Sequence, residues 1–328
     1  MTTPFPENAF ASTTLLVTGP RILRDIEIVR PELDRLGFNV REAKVSQRLT
    51  EDQLVPLLEG VDAVICGGDQ WTRKVFENAP GLRVVCKWGT GVDQIDFRAA
   101  ADHGVRVRNV PDAFTVPVSD TVLCFMLCFA RKIPWLTSEL RAGRWTPLDG
   151  PSLAECTLGV VGIGNIGSAV LRKAAAFGMR LLATDPRNDV PLQLLDDTRV
   201  EMVSLDELLG RSDYVSLNCD LNDSSRHLIS DSELATMKPT SVLNNTARGG
   251  VVDKPALLGA LASGGLAGAG LDVFETEPIP ADCPLLTMEN VLMSPHLANS
   301  SDRAAHRVHG IVIQNVCELL SESAGDTA

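Results

Sequence analysis

The chain has 328 residues, of which 45% are hydrophobic and 22% are charged. This length and composition can bury a large core and leave room for two globular domains. The 42 acidic and 30 basic residues give a formal net charge of −12, which repels polyphosphates and anionic lipid surfaces, so we expect neither nucleic acid nor a membrane as a partner.

The cysteines and the N-terminus indicate a cytoplasmic protein. Eight cysteines are scattered without a C-x-x-C pair, as is typical of reduced, buried thiols. Cys124 and Cys128 are four residues apart, but no histidine or second cysteine pair is spaced to complete a metal site, so we expect no metal. The stretch MTTPFPENAFAS lacks the pattern of a signal peptide, and the longest apolar run, VLCFMLCFA, is too short to span a bilayer.

The first third of the chain alternates between short β-branched runs and helical stretches, which predicts a parallel sheet. The predicted strands are TLLVTG (14–19), NVREA (39–43), AVICG (63–67), RVVCKWG (83–89) and VRVRNV (105–110). Leu-, Glu- and Arg-rich stretches between them, such as Leu23–Leu36 and Thr50–Leu58, predict helices.

A second series with the same rhythm begins after residue 150 and predicts a second parallel sheet. Its strands are TLGVVGIG, RLLATD, RVEMVS, YVSLN, SVLNNTA, AGLDVF and NVLMS. Between the two series, Pro117–Arg131 predicts a long apolar helix with Ser119 and Asp120 as candidate caps. A last helix is predicted over Asp302–Leu320, followed by a disordered polar tail, SESAGDTA.

The glycine pattern GIGNIG follows the strand TLGVV and opens the helix SAVLRKAAAFGM, as in a dinucleotide-binding turn. In such a turn Gly162 permits the tight bend, Gly164 lets the pyrophosphate approach the backbone, and Gly167 lets the helix pack on the strand. The amides at the helix start, including those of Asn165 and Ile166, would face the anion.

Asp185 ends the next strand, eighteen residues beyond Gly167. Its carboxylate can bond the ribose hydroxyls and would repel a 2′-phosphate, so the sequence favours NAD over NADP. Alternatively, Asp185 could serve only as the first residue of the turn DPRND. The nearby Arg187 could bind a 2′-phosphate, so NADP stays open as an alternative.

Three further strand ends of the second series carry an arginine, a carboxylate and a histidine. Arg248 follows the strand SVLNNTA, and its planar guanidinium can bind a carboxylate with two hydrogen bonds. Alternatively, Arg248 could only stabilise the glycine turn that follows it. Glu277 precedes a proline after AGLDVF, with Glu275 as its rival, and His296 follows NVLMSP. A single histidine beyond a strand is more often structural, but this set is what proton-coupled hydride transfer to nicotinamide requires.

In this order, GIGNIG, NTARGGVVD, LDVFETEP and SPH resemble the NAD-dependent D-isomer-specific 2-hydroxyacid dehydrogenases, the family that includes phosphoglycerate dehydrogenase. KWGTGVDQID (87–96) is also similar to the N-terminal substrate loop of that family. The resemblance implies a Rossmann NAD domain inserted into a flavodoxin-like substrate domain, so the glycine turn begins at mid-chain.

The resemblance also implies domain bounds and an assembly. The substrate-binding domain would comprise residues 1–112 and 298–328, and the NAD-binding domain residues 113–297. Residues 117–150 would form the arm through which two copies make a homodimer.

By the same resemblance, Arg248 binds and polarises the substrate, His296 is the acid/base, and Glu277 supports His296. Asp272 would lie near the nicotinamide, although it could equally cap the end of its strand. Thr246 and Ala247 are predicted cofactor contacts.

A loop of small residues after the fourth strand is the predicted substrate loop. Backbone amides of Gly89, Thr90 and Gly91 could cradle a carboxylate, and Lys87 or Trp88 could shape the far end of the pocket. Lys87 could equally be a solvated charge at the strand edge.

The expected substrate is therefore a small anionic 2-hydroxy or 2-keto acid, phosphorylated or phosphonate-bearing forms included. Many phosphoglycerate dehydrogenases place an arginine where this chain has Gly67-Gly68, so a distal phosphate would lose that partner. Two alternatives stay open: an NAD-sensing interaction protein similar to the corepressors of this fold, and a dehydrogenase of a non-carbon or phosphonate substrate.

Overall fold

The structure is a computed structural model that describes residues 3–187 and 198–325. The chain forms two compact units, Met1–Ala113 with Ser301–Ala328, and Phe114–Ser300. Each unit contains one parallel sheet with helices packed against it. The predicted α/β class with two doubly wound domains is therefore confirmed.

The strands, in chain order, are β1 Thr14–Val17, β2 Asn39–Glu42, β3 Ala63–Cys66, β4 Val84–Lys87, β5 Arg106–Arg108, β6 Thr157–Val161, β7 Arg180–Thr184, β8 Val200–Met202, β9 Tyr214–Leu217, β10 Val242–Asn245, β11 Gly268–Leu271 and β12 Val291–Met293. The helices are α1 Pro20–Arg24, α2 Ile26–Arg35, α3 Glu51–Leu54, α4 Arg73–Glu77, α5 Phe97–Asp102, α6 Thr115–Arg131, α7 Ile133–Arg141, α8 Asn165–Ala176, α9 Leu205–Arg211, α10 Asp231–Thr236, α11 Lys254–Ser263 and α12 Asp302–Gly325. Short 3-10 turns lie at Val55–Leu58, Leu153–Glu155, Gly249–Val251 and Pro284–Thr287.

The sheet of the first unit has the order β2-β1-β3-β4-β5, which is the flavodoxin-like arrangement. Every strand predicted in the first third of the chain is present, and all pair in parallel. The C-terminal helix α12 packs on β3 and β4, and its Val308, Val312 and Val316 are fully buried. Burying a valine of this kind contributes about 1.5–3 kcal/mol, so α12 is an integral part of this core.

The predicted helix Leu23–Leu36 is wrong in one respect, because the chain breaks it at Asp25. Asp25 has φ −101° and ψ 19°, ends α1 and precedes α2. Its carboxylate turns inward to His309 of α12, at 3.1 Å from Nε2. Local helix propensity gives no sign of this partner because it lies 284 residues further along the chain. The predicted helix Thr50–Leu58 likewise divides into α3 and a 3-10 turn.

The sheet of the second unit has the order β12-β11-β10-β9-β6-β7-β8. Counted from β6 this is the Rossmann order with one strand added beyond β11. The chain reverses its direction of winding between β6 and β9, so the carboxyl ends of these neighbours flank the place where such sheets bind ligands. The run AGLDVF leaves the sheet after Leu271, which places Asp272 directly past the strand.

The long apolar helix α6 of the second unit begins at Thr115 rather than Pro117, and Ser119 and Asp120 do not cap it. The residue before the helix is Phe114, and Ser119 lies in the second turn with its hydroxyl donating to the Thr115 carbonyl at 2.6 Å. Asp120 instead accepts from Lys173 of α8 at 2.6 Å. The cap prediction is wrong because both residues are held by partners inside the packed pair of helices.

Two further segments differ from the sequence prediction. Helix α7 follows α6 after Lys132, which takes a left-handed conformation with φ 55°, and no helix was predicted there. Helix α12 continues to Gly325, so the first part of the tail predicted to be disordered is helical, and residues 326–328 lie outside the described residues. Over the described ranges, no helix is both long and apolar enough to cross a membrane.

Two neighbouring asparagines in β10 differ in their hydrogen bonding. Asn244 is 0% exposed, and neither amide atom of its side chain has a partner within the described chain. The next residue, Asn245, donates to the Arg248 carbonyl at 2.9 Å and accepts from the Ala247 amide at 3.0 Å. A buried amide without partners costs free energy, whereas a bonded one stabilises the turn it holds.

We therefore predict that Asn244→Leu raises the free energy of unfolding by about 1–3 kcal/mol in urea titrations, since leucine has nearly the same shape and removes the unpaired amide. Asn245→Leu, the matched control one residue away, should lower the free energy of unfolding. A loss of stability in Asn244→Leu would show that the Asn244 amide has a favourable partner after all.

Candidate functional site

The glycine turn between β6 and α8 has the backbone that a dinucleotide requires. Gly162 has φ 90°, and a Cβ there would meet the backbone of Asn218 and Cys219. A Cβ on Gly167 would overlap the carbonyl oxygen of Gly162. By contrast, a Cβ on Gly164 would meet no atom within 4 Å, so this glycine faces open space on the side that an approaching phosphate would use.

The first turn of α8 offers donors to that open side. The first amide bonded in the helical ladder is that of Ser168, which donates to Gly164 at 2.9 Å. The amides of Asn165, Ile166 and Gly167 precede it and have no intrahelical acceptor. Together with the positive end of the helix dipole they form an anion-binding helix start.

Asp185 lies at the end of β7, beside this turn. Its carboxylate accepts from the Ile163 amide at 2.7 Å and is only 3% exposed. Arg187 adds two side-chain bonds of 2.8 Å, and these lower the pKa of Asp185 to about 2. Asp185 is therefore ionised at any physiological pH, and both of its oxygens are shared with Arg187.

The end of β10 holds the Arg248 turn. The two bonds of the Asn245 amide clamp this turn, and Arg248 itself donates from Nη1 to the Ala247 carbonyl at 2.7 Å. The hydroxyl of Thr246 is buried and has no partner among the described residues. A Cβ on Gly249 would overlap the backbone of the segment that leads to Glu275, so this glycine lets two loops of the site lie against each other.

His296 and Glu277 form a hydrogen-bonded pair, with 2.7 Å between Nδ1 and Oε2. Their side chains are 42% and 25% exposed, so the pair is open on the histidine side. Burial raises the pKa of Glu277, but the hydrogen bond and attraction to His296, with the Phe274 amide and the nearby Arg248 guanidinium, outweigh it and leave the pKa below its usual value. The structure thus brings Arg248, Glu277 and His296 together.

Asp272 fixes the backbone that carries His296. Its carboxylate accepts from the Ser294 hydroxyl, from the Leu297 amide at 2.8 Å and from the Ala298 amide at 2.9 Å. Its carbonyl accepts from the His296 amide at 2.8 Å. Asp272 is 1% exposed, and burial raises its pKa in spite of these bonds. A role of Asp272 towards the nicotinamide stays a prediction, whereas the hydrogen bonds to the backbone around His296 are present in the structure.

Glu275, the rival of Glu277, contacts a different histidine. Its Oε1 lies 2.8 Å from Nε2 of His227, which also lies 3.8 Å from Asp253 through Nδ1. The second unit therefore contains two histidine–glutamate pairs built from one short segment. Only the pair of Glu277 includes His296.

The predicted substrate loop lies in the first unit, directly after β4. Three carbonyl oxygens of the loop accept hydrogen bonds from other parts of the protein. The Trp88 carbonyl accepts from the Lys87 ammonium at 3.0 Å, and the Gly89 carbonyl accepts from the Val110 amide at 3.0 Å. The Thr90 carbonyl accepts from the side-chain amide of Asn109 at 2.6 Å. Lys87 therefore braces the loop rather than standing as a purely solvated charge.

The amide side of this loop is open. Within the described ranges no acceptor bonds the amides of Gly89, Thr90 and Gly91. Gly89 has φ 121°, a conformation that favours glycine. A loop with its carbonyls occupied and successive amides unoccupied is suited to a carboxylate.

Sequence reasoning missed several residues that shape these sites. Asn245 and Ser294 act on loops next to the predicted residues, and His227 pairs with Glu275. Asparagine at the end of a strand often forms a turn, so the sequence could have indicated a role for Asn245, whereas it gave no such indication for Ser294 or His227. In the part of the chain that is described, no group of three His, Cys, Asp or Glu side chains could hold a metal ion.

Comparison with known proteins agrees with this geometry. The family described as D-isomer specific 2-hydroxyacid dehydrogenase, NAD binding domain, matches residues 123–298, which is more than half of the chain. A D-3-phosphoglycerate dehydrogenase of Methanocaldococcus jannaschii is 38% identical over 93% of this chain, and the chain spans 57% of the length of that relative. A hydroxypyruvate reductase of Thermotoga maritima is 38% identical over 88% of this chain and 95% of its own length.

Solved structures give the same result. A D-lactate dehydrogenase from Aquifex aeolicus, solved with NAD and lactic acid, superposes with a TM-score of 0.83 and 26% identity over 96% of each chain. The chain belongs to the D-isomer specific 2-hydroxyacid dehydrogenase family, and residues 123–298 are its NAD-binding domain.

The described residues fit the cofactor of that family. The open face of Gly164 leaves room for a pyrophosphate, and the Thr246 hydroxyl lacks a protein partner. Asp185 offers an ionised carboxylate at the position that bonds the adenosine ribose in such turns. The family assignment and these features make NAD the cofactor.

Two glycines of the turn give matched variants. We predict that Gly164→Ala keeps a melting temperature near that of the wild type but weakens NADH binding at least about tenfold, because the new methyl fills the space of the pyrophosphate. Gly167→Ala should instead lower the melting temperature, because its methyl overlaps the protein backbone. Binding is measured by fluorescence titration of NADH and stability by calorimetry.

Unchanged NADH affinity in a folded Gly164→Ala protein would contradict the placement of the pyrophosphate at this turn. Gly259→Ala serves as the control, since its added methyl also meets no atom within 4 Å but lies in α11, away from the turn.

Proposed function

We propose that the protein is an NAD-dependent oxidoreductase that interconverts a small D-2-hydroxy acid and the corresponding 2-keto acid. The observation that carries the proposal is the His296–Glu277 pair beside the Arg248 turn, in a chain of the 2-hydroxyacid dehydrogenase family. NAD supplies the hydride acceptor in oxidation and, as NADH, the hydride donor in reduction.

His296 is the proposed acid/base. Its Nδ1 is engaged by Glu277, which leaves Nε2 as the atom that exchanges a proton with the substrate oxygen. In oxidation the neutral imidazole takes the hydroxyl proton as hydride leaves C2, and in reduction the imidazolium returns it. The ionised Glu277 holds the ring in one orientation and stabilises its charged form.

Arg248 and the substrate loop are the proposed anion binders. The Arg248 guanidinium matches a carboxylate and would polarise the keto oxygen beside it. The open amides of Gly89, Thr90 and Gly91 would donate hydrogen bonds to the substrate carboxylate. On this proposal the loop of the first unit binds substrate, and the second unit binds NAD through the glycine turn and Asp185. The predicted contacts near the nicotinamide end are Thr246, Ala247 and Asp272.

The preferred substrate is proposed to be a short, non-phosphorylated acid such as hydroxypyruvate, glyoxylate or pyruvate. Gly67-Gly68 follows β3 at the place where many phosphoglycerate dehydrogenases have an arginine, and a Cβ on Gly67 would lie 2.7 Å from Cδ of Pro20. This backbone therefore leaves no room for a side chain at residue 67. The names of the Thermotoga maritima and Aquifex aeolicus relatives are in line with acids of this size.

The test is NADH oxidation with a panel of 2-keto acids, with and without phosphate or phosphonate groups, run in parallel with NADPH. We expect turnover with a short keto acid and a preference for NADH, because the ionised Asp185 repels a 2′-phosphate. His296→Gln should lower kcat by about 10²- to 10⁴-fold through loss of the acid/base.

The control for that variant is His227→Gln, which removes the histidine of the neighbouring pair and should keep turnover near that of the wild type. Equal losses in the two variants would contradict the assignment of His296. Tight NADH binding without turnover of any acid would favour the NAD-sensing interaction protein, and turnover of a phosphonate or non-carbon substrate alone would favour the second alternative.

We propose a cytoplasmic location, because all eight cysteines are free thiols and five of them are buried. Thiols of this kind are typical of a reducing compartment.

We also propose a homodimer formed through residues 117–150. This arm exposes large apolar side chains that its own unit leaves uncovered: Ile133 is 55% exposed, Leu140 56% and Trp145 90%. Apolar groups gathered on one exposed segment mark a protein interface.

Sedimentation velocity at micromolar concentration should show a dimer, and the double variant Leu140→Glu with Trp145→Glu should sediment as a monomer, since two charges would be buried. Phe177→Glu changes an apolar residue outside the arm that is 44% exposed, and this variant should stay dimeric. A wild-type monomer under these conditions would refute the homodimer.

A further inference from the structure

A buried tryptophan–histidine contact joins the substrate loop to the C-terminal helix. The indole Nε1 of Trp88 donates to Nδ1 of His309 at 2.9 Å, across 221 residues of sequence. His309 is 0% exposed and Trp88 is 8% exposed, so water does not compete for this bond. The rings lie 5.6 Å apart between centroids.

The chemistry of the indole fixes the proton positions in this contact. An indole N–H can only donate, so Nδ1 of His309 must be the unprotonated nitrogen and Nε2 must carry the hydrogen. That hydrogen points to the Asp25 carboxylate at 3.1 Å. Asp25 is in turn paired with Arg21 at 3.5 Å and Arg24 at 3.4 Å. Trp88, His309 and Asp25 thus form a directed chain of hydrogen bonds.

The surroundings keep His309 in this neutral form. Burial lowers the pKa of His309, and the bond to Asp25 only partly opposes this effect. The other charged or titratable groups close to the ring are Arg21 and His306, and both lower its pKa as well.

Trp88 is the residue that precedes the open amides. Its own amide donates to the Cys66 carbonyl at 2.9 Å, and its carbonyl accepts from Lys87. The indole bond to His309 is therefore a third hydrogen bond that holds Trp88 in place. The glycines that follow permit many backbone conformations. The direction of the Gly89, Thr90 and Gly91 amides therefore depends on how firmly Trp88 is held, as well as on the bonds to the Gly89 and Thr90 carbonyls.

We propose that His309 is a positioning residue for substrate binding: by accepting the Trp88 indole proton, it holds the loop amides in the orientation that receives the substrate carboxylate. The inference rests on the proposed function of the loop. His309 touches neither substrate nor cofactor in this scheme and acts only through Trp88.

Two conservative variants separate the two bonds of His309. Asparagine places its side-chain oxygen near the position of Nδ1, so His309→Asn keeps the acceptor for Trp88 and loses the donor to Asp25. Glutamine places its amide near Nε2, so His309→Gln keeps the bond to Asp25 and loses the acceptor for Trp88. Each variant removes one bond, and melting temperatures measured for both report any general loss of stability.

The first readout needs no activity. In protein labelled with ¹⁵N-tryptophan, the indole resonance that disappears in Trp88→Phe is the resonance of Trp88. We expect it to lie downfield in the wild type and in His309→Asn, and to move upfield in His309→Gln. An indole resonance unchanged by both variants would show that the bond is not formed.

The second readout is carboxylate binding. In His309→Gln we expect the KM for the keto acid and the Kd for oxalate, measured by calorimetry with NADH present, to rise about fivefold to tenfold, as for one lost hydrogen bond. The KM for NADH and kcat should stay within about twofold, and His309→Asn should remain close to the wild type.

Equal effects of the two variants on the KM for the keto acid would overturn the inference. A general loss of function in His309→Gln, with lower kcat, lower melting temperature and higher KM for both substrates, would overturn it as well. Absence of keto acid turnover in the wild type would instead defeat the proposed function. In that case the oxalate affinities still test the role of His309. If the wild type binds no oxalate, or binds it no more tightly than His309→Gln does, the inference is wrong.

Discussion

The site in the second unit depends on one buried carboxylate. Asp272 receives the hydroxyl of Ser294 and the amides of Leu297 and Ala298, and its carbonyl receives the amide of His296. His296 has φ 54°, a left-handed conformation that costs a non-glycine residue about 1–3 kcal/mol. Such a conformation persists only where several bonds enforce it, and those to Asp272 do so. These bonds fix the backbone that carries the imidazole of His296.

The same constraint distinguishes the two histidine–glutamate pairs. Glu275 and Glu277 are two residues apart, yet one pairs with His227 and the other with His296. Only His296 is held by Asp272 next to the strand end that presents Arg248. The proposed acid/base role needs an oriented ring as well as a carboxylate, so it depends on the backbone bonds to Asp272 as well as on the side-chain pair.

The sequence was sufficient for the architecture, because predicted strand runs alternate with helices through most of the described chain and both sheets follow from that rhythm. It was also sufficient to bring Glu277 and His296 together, because the carboxyl ends of parallel strands share one edge. What it could not provide were partners from distant segments. The break at Asp25 depends on His309, and the helical position of Ser119 depends on packing against α8. Local helix propensity depends only on nearby residues, so it cannot predict either contact.

The order of synthesis gives the C-terminal helix a particular meaning. The ribosome completes Phe114–Ser300 before it adds α12, whereas the strands of the first sheet are made at the very beginning. The nascent chain therefore contains the whole nucleotide-binding unit before α12 is available to pack on β3 and β4. The bond between Trp88 and His309 forms only after α12 has been made. On the proposals above, a C-terminally truncated chain would therefore keep its place for the dinucleotide and lose the support of its substrate loop.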